Sequence, residues 1–200
     1  MKNSAVAIVL TLTALTPGTT ALFAQEWLAF DGNFVRTEPG QRQVVGWFHR
    51  GADGSTREES NADGPAKPVV LIMNVARRLQ YRFEDKGWSS YPVHVPPNGW
   101  HPQRVDRDPR KYIPAADIEK VAVFRFVNPE GHVLFVAPSL NDFALRTERG
   151  NGGREVFSSI VIREQPAGLF EPPPGVFVSV HSDGASGVIY YPAGQMPTSR

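Results

Sequence analysis

Apolar and polar residues alternate along this chain at a period of two, and Asn/Asp–Gly turns cut the alternation at short intervals. No other feature restricts the fold as much. In "LQYRFE" (79–84), Leu79, Tyr81 and Phe83 share one side while Gln80, Arg82 and Glu84 share the other. "FALRTER" (143–149) sets Phe143, Leu145 and Thr147 against Ala144, Arg146 and Glu148. "EVFSSIVIR" (155–163) sets Val156, Ile160 and Ile162 against Glu155, Ser159 and Arg163. Successive side chains of a strand point to opposite faces, so these runs predict antiparallel strands with one buried and one wet face. "GADGS" (51–55), "NADGP" (61–65), "NPEG" (128–131), "RGNGG" (149–153) and "SDGASG" (182–187) stand between such runs. Gly accepts a positive φ and Asn or Asp hydrogen-bonds its own backbone, so these segments reverse the chain.

"VAVFRFV" (121–127) and "VLFVA" (133–137) are apolar on both sides, which predicts central strands or a concave face that something covers. Helix signals are scarce. "PAADIEKVA" (114–122) has Pro114 near a start and Asp117 and Glu119 in a first turn, but it runs straight into a strand-like segment, leaving helix and turn both open. The count of runs predicts about eight to ten strands. A sheet with one apolar face cannot stand alone in water and must curl or fold over. The expected fold is therefore all-β: a strongly curved antiparallel meander, half-barrel or open barrel, with few or no helices. A β-sandwich is the alternative.

The chain opens "MKNSAVAIVLTLTALTPGTTALFAQ", with Lys2 as a positive start, Ala5 to Thr16 as an apolar run and a break at Pro17-Gly18. Small residues then permit cleavage after Ala21 or Ala24, the pattern of a secretory signal peptide over 1–24. The apolar run is too short to span a bilayer. Residues 25–43 read as an N-terminal segment, 44–191 as one antiparallel β domain and 192–200 as a frayed tail. Within the domain, 91–114 is Pro-rich, with prolines at 92, 96, 97, 102, 109 and 114, and reads as a long irregular loop.

Without the first 24 residues the charge is formally balanced, since Lys2 is the only charged residue removed from 21 basic and 20 acidic side chains. A balanced chain with interspersed signs has no electrostatic footprint for nucleic acid or an anionic membrane. The absence of cysteine excludes disulfides, thiolate nucleophiles, cysteine metal sites and a lipid-anchor cysteine. The compartment expected is periplasmic or secreted, with no membrane-spanning segment in the mature chain.

The segments "GWFHRGADGSTREES" (46–60), "VVLIMNVARRLQYRFEDKGWSSYPV" (69–93) and "VLFVAPSLNDFALRTERGNGGREVFSSIVIREQPAGLFEPPPG" (133–175) resemble a class of uncharacterised secreted bacterial proteins. That class is similar in organisation to lipoprotein-carrier-like periplasmic β half-barrels. The resemblance implies a curved sheet whose concavity holds acyl chains.

Catalytic and metal constellations are weak. His94 and His101 lie with Asp106 and Asp108 in the Pro-rich loop, where no register makes them converge on a metal. "HSDGASG" (181–187) holds Ser, His and Asp side by side, and neighbours on a strand point apart, which argues against a triad. The Asp–Gly pairs, "DGN" at 31–33 among them, complete no calcium loop and read as hairpin turns. "GNGG" (150–153) lacks the Lys-Ser/Thr of a phosphate loop. No catalytic residue, metal ligand or cofactor is assigned. Aromatic residues are many, and they favour strands whether or not a ligand is bound. The functional expectation is a non-enzymatic binding module whose concave face, lined by Phe124, Phe126, Leu134, Phe135 and Phe143, takes a lipid, an acyl chain or an envelope lipoprotein. A structural or protein-interaction role in the envelope comes second, and a hydrolase using the loop histidines third. In "REQPAGLFEPPPG" (163–175), Leu169 and Phe170 read as a hydrophobic plug closing the end of the sheet.

Overall fold

The computed structural model describes residues 27–61, 68–84, 87–93, 108, 111–181 and 189–192. Strands β1 (Phe30–Thr37), β2 (Val44–Arg50), β3 (Thr56–Ser60), β4 (Val69–Asn74), β5 (Leu79–Glu84) and β6 (Gly87–Pro92) form one antiparallel meander. A second meander runs through β7 (Ile113–Pro114), β8 (Phe124–Val127), β9 (Val133–Ala137), β10 (Phe143–Glu148) and β11 (Arg154–Ile162). Pairing of β1 with β11 joins the two. The chain then crosses back to lay β12 (Phe177–Val180) parallel to β6, with β13 (Ile189–Pro192) outermost. The result is a single open sheet of 13 strands running from β13 to β7, all-β as the alternation predicts and not closed into a barrel. Pro114 sits on the β7 edge, where its missing N–H costs no ladder bond.

One local meander was expected, and two pairings depart from it, because pairing between strands far apart in sequence leaves no trace in local periodicity. Within the segment read as N-terminal, 25–43, strand β1 is flanked on both sides by hydrogen-bonded neighbours. The "DGN" that reads as a turn lies inside β1, at a bulge where the register with β11 shifts between Asp31 and Asn33. Opposite it, Ser159 takes a φ of 53°, and this changes the phase of β11. Phe157 is buried and Ile160 packs on the core, whereas Ile162, expected inward, is 59% exposed. "PAADIEKVA" resolves as a turn: Glu119 and Lys120 both have positive φ, and Ile118 and Val121 exchange backbone bonds across them. Among the described residues there is no α-helix, and no helix is long and apolar enough to cross a membrane.

The sheet carries two apolar clusters. One joins Val70, Ile72, Leu79, Tyr81, Trp88, Phe170 and Val178. The other joins Phe34, Val123, Ala137, Leu140, Leu145 and Phe157, with Phe48 and Phe143 against it. Residues directly opposite in a ladder share a face, so the register separates the two. On one face a row runs Asn33, Trp47, Glu59, Val70, Phe83, Trp88, Val178, across β1 to β6 and on to β12. Phe34 and Phe48, alternating with Asn33 and Trp47, lie on the other face.

Candidate binding face

The segment between β11 and β12 covers the first face only in part. It must cross seven strand steps, about 34 Å at ~4.8 Å each. Its 14 residues reach up to roughly 46 Å when extended. It runs as a strap. Arg163 pairs with Asp31 on β1, and the Arg57 guanidinium on β3 donates to the Leu169 carbonyl at 3.0 Å. Asn74 at the end of β4 donates to the Phe170 carbonyl at 2.9 Å, and Arg77 Nε meets Glu171 Oε1 at 2.5 Å. A short 3₁₀ turn, Ala167–Phe170, turns Phe170 into the cluster with Leu169 packed beside it, so the apolar pair of this segment anchors the strap.

Tyr81 is fully buried in the covered part of the face, with the Glu171 carboxylate of the strap near its hydroxyl. Burial pushes that hydroxyl well above the usual tyrosine range, and the neighbouring Glu171 carboxylate adds to the shift. On the second face, Arg50 is 3% exposed, its Nε donating to the Leu28 carbonyl at 3.0 Å and its Nη2 to the Leu140 carbonyl at 2.9 Å. The rings of Trp27, Phe30 and Phe143 stand within 5.2 Å of the guanidinium carbon. Burial lowers its pKa to about 10. Arg50 ties the start of β1 to the second meander and belongs to the core.

The residues expected to form one concave wall do not come together. Phe124 pairs with Val136 and Phe126 with Leu134, so Phe124, Phe126 and Leu134 share a face of β8–β9, and Phe124 stacks on Tyr112 at 4.4 Å. Phe135 pairs with Arg125 and so points the other way, beneath the Arg146 guanidinium. Phe143 is enclosed by Phe30, Phe48 and Phe157, with ring centroids 4.9, 5.5 and 4.8 Å away. Alternation within β9 divides the set, and Phe135 and Phe143 both pack against the second apolar cluster. Of the histidines, His49 lies on β2 and His132 pairs with Glu130 in a hairpin. His181 stacks on Tyr91 at 4.6 Å. His94 and His101 lie outside the described residues. Among the described residues no group of three or more His, Asp or Glu is placed to hold a metal.

The face that stays open lies beside the strap. Over β1, β2 and β3 a groove of about 490 Å³ is lined by Asn33, Val45, Trp47, Glu59, Asn61 and Ser158, among others. Trp47 is 59% exposed and Val45 45%. The groove continues the same ladder row that is apolar and buried at Val70 and Trp88, left uncovered where the strap passes to one side. Asn33 Oδ1 is buried there without a partner. Trp47 is a site residue that alternation alone misses, because "VVGWFHR" is apolar on both sides. The available signal was Gly46: with Phe34 packed over it, the Phe48 side of β2 belongs to the core and Trp47 must face away.

No protein-family model and no curated protein matches the chain. A solved structure described as "Structure of PNGF-II in P21 space group" is similar at a TM-score of 0.43 and 9% identity, over 78% of this chain and 31% of that one. A likeness at that level identifies neither family nor activity.

Proposed function

We propose that this protein is a non-enzymatic binding module of the periplasm or extracellular space, and that its ligand seats on the open part of the sheet around Trp47. The observation that carries the proposal is the indole itself. A large apolar ring 59% exposed, beside an exposed valine, sits on a face whose continuation is core. Exposed apolar surface rimmed by polar groups marks interaction sites. The compartment rests on the leader-like residues 1–24. The lipid, acyl chain or envelope lipoprotein expected from the sequence is carried forward as a candidate occupant of this groove, in place of a wall built from Phe124, Phe126, Leu134, Phe135 and Phe143.

Native mass spectrometry of the protein purified from its own host tests this. The expected result is a co-purifying ligand that is retained by the parent and lost from Trp47→Ala. Equal retention by both proteins would remove the groove as the site.

A further inference from the structure

We infer that the groove around Trp47 takes a neutral carbohydrate chain, an inference that rests on the binding-module reading. The lining excludes other chemistries by what each would leave unsatisfied. Among the described lining residues Glu59 is the only charged side chain, and its carboxylate already holds Arg57 Nε at 2.6 Å. Among the described lining residues there is no Lys, Arg or His, and the neighbouring Arg57 is already held by Glu59, so a phosphate or sulfate headgroup would meet the carboxylate first. A hydrocarbon chain would cover Trp47 and Val45 but strip water from the Asn33, Asn61 and Ser158 side chains without replacing it. An extended peptide reads a sheet through a free edge, and here both neighbours of β1 and both neighbours of β2 are already hydrogen-bonded strands.

What remains is a ligand with an apolar face and a rim of hydroxyls. A pyranose ring presents axial C–H groups on one side, which suit the face of an exposed indole, and equatorial hydroxyls around its edge. Asn33 stands directly opposite Trp47 in the β1–β2 ladder and Glu59 directly opposite it in the β2–β3 ladder. Ser158 faces Asn33 across β11. Amide, carboxylate and hydroxyl groups thus form one row on either side of the indole. The groove is open rather than enclosed, which suits an internal stretch of a chain more than a free monosaccharide.

The test measures retention of the purified protein on immobilised neutral oligosaccharides of several linkages. Anionic oligosaccharides, phosphatidylcholine vesicles and phosphatidylglycerol vesicles are run in parallel. Retention on neutral oligosaccharides is expected, falling at least about tenfold in Trp47→Ala and by a smaller factor in Asn33→Ala, with partial recovery in Trp47→Phe. Trp47 is exposed, so Trp47→Ala should keep the parent's far-ultraviolet circular dichroism and thermal midpoint, which separates lost binding from lost fold. Trp47-dependent binding to either vesicle would overturn the carbohydrate inference and leave the groove standing. Oligosaccharide binding equal in the parent and Trp47→Ala would overturn both. No retention on any neutral oligosaccharide would overturn the inference, and the co-purification result would then bear on the groove alone.

Discussion

Asn74 Nδ2 donates to the Phe170 carbonyl oxygen at 2.9 Å, joining residues 96 positions apart and fastening the strap to the end of β4. The same amide uses both its ends: Nδ2 also reaches Glu171 Oε1 at 3.2 Å, and Oδ1 accepts from the Arg77 backbone N–H at 2.9 Å. Asn74 is 6% exposed, so its bonds are made out of water. The Asn74→Ala variant leaves the Phe170 carbonyl and the Arg77 N–H without these partners. It should cost about 2–3 kcal/mol, read as a lowered urea midpoint at an unchanged slope. Asn74→Asp should do no better, since a carboxylate would then face the Phe170 carbonyl and the Glu171 carboxylate.

The strap's hold is apolar as well as polar. Phe170 is 4% exposed within the cluster of β4, β5, β6 and β12, while Leu169 is only partly buried against it. Phe170→Ala should therefore destabilise by about 3–5 kcal/mol and Leu169→Ala by clearly less. Denaturant titration of the two variants side by side checks the order. Equal losses would mean that Leu169 holds the strap as firmly as Phe170, against the burial order.

Much of this architecture was open to a reader of the sequence. Leu79 and Tyr81 fall on the buried side that alternation assigns them, and Leu145 does too. Some of the misses share one physical cause, the β-bulge. Where "DGN" reads as a turn, β1 runs on as a strand, and an extra residue of β11 around Ser159 changes the phase of pairing, so that Ile162 reads as inward. A further register shift between Ala144 and Arg146 lies in the ladder where the expected aromatic wall was placed. The candidate groove was hidden for a different reason: which face of β1–β3 stays open depends on the path of the strap, a long-range contact that local patterning does not encode.

Tyr81 gives the protein an alkaline sensitivity. Its folded pKa is raised above the ordinary 10.0, first by burial and then by the Glu171 carboxylate. The neutral phenol is thus the form the fold accepts, and the unfolded chain releases the proton more readily. Its contribution is fully present below about pH 10 and is lost as the pH rises beyond that value. Arg50 acts oppositely, since its folded pKa is lowered to about 10: its buried charge costs stability below that value, and the cost is relieved as the pH rises above it. Tyr81→Phe isolates the first effect. It removes the titrating hydroxyl and leaves the buried ring in place. The decline in thermal midpoint above pH 10 should flatten relative to the parent. A variant that keeps the parent's alkaline slope would assign that slope elsewhere.

Gly46 stands where the two faces of the sheet come closest to competing for the same space. A Cβ built there would lie 2.1 Å from the Glu59 carbonyl oxygen and 2.6 Å from two carbons of the Phe34 ring. The first clash is with backbone, which can move only by opening the β2–β3 ladder; the second is with a ring 1% exposed in the core of the second face. Gly46→Ala should therefore cost about 3 kcal/mol or prevent folding, at the upper end of what overpacking does. Gly168, on the strap, provides the control: a Cβ there meets nothing within 4 Å. Gly168→Ala should be neutral or raise stability by up to about 1 kcal/mol through the unfolded chain. Thermal unfolding of the pair separates the explanations. Comparable losses at both positions would mean that backbone freedom, and not the space taken by the Phe34 ring, is why glycine sits beside Trp47.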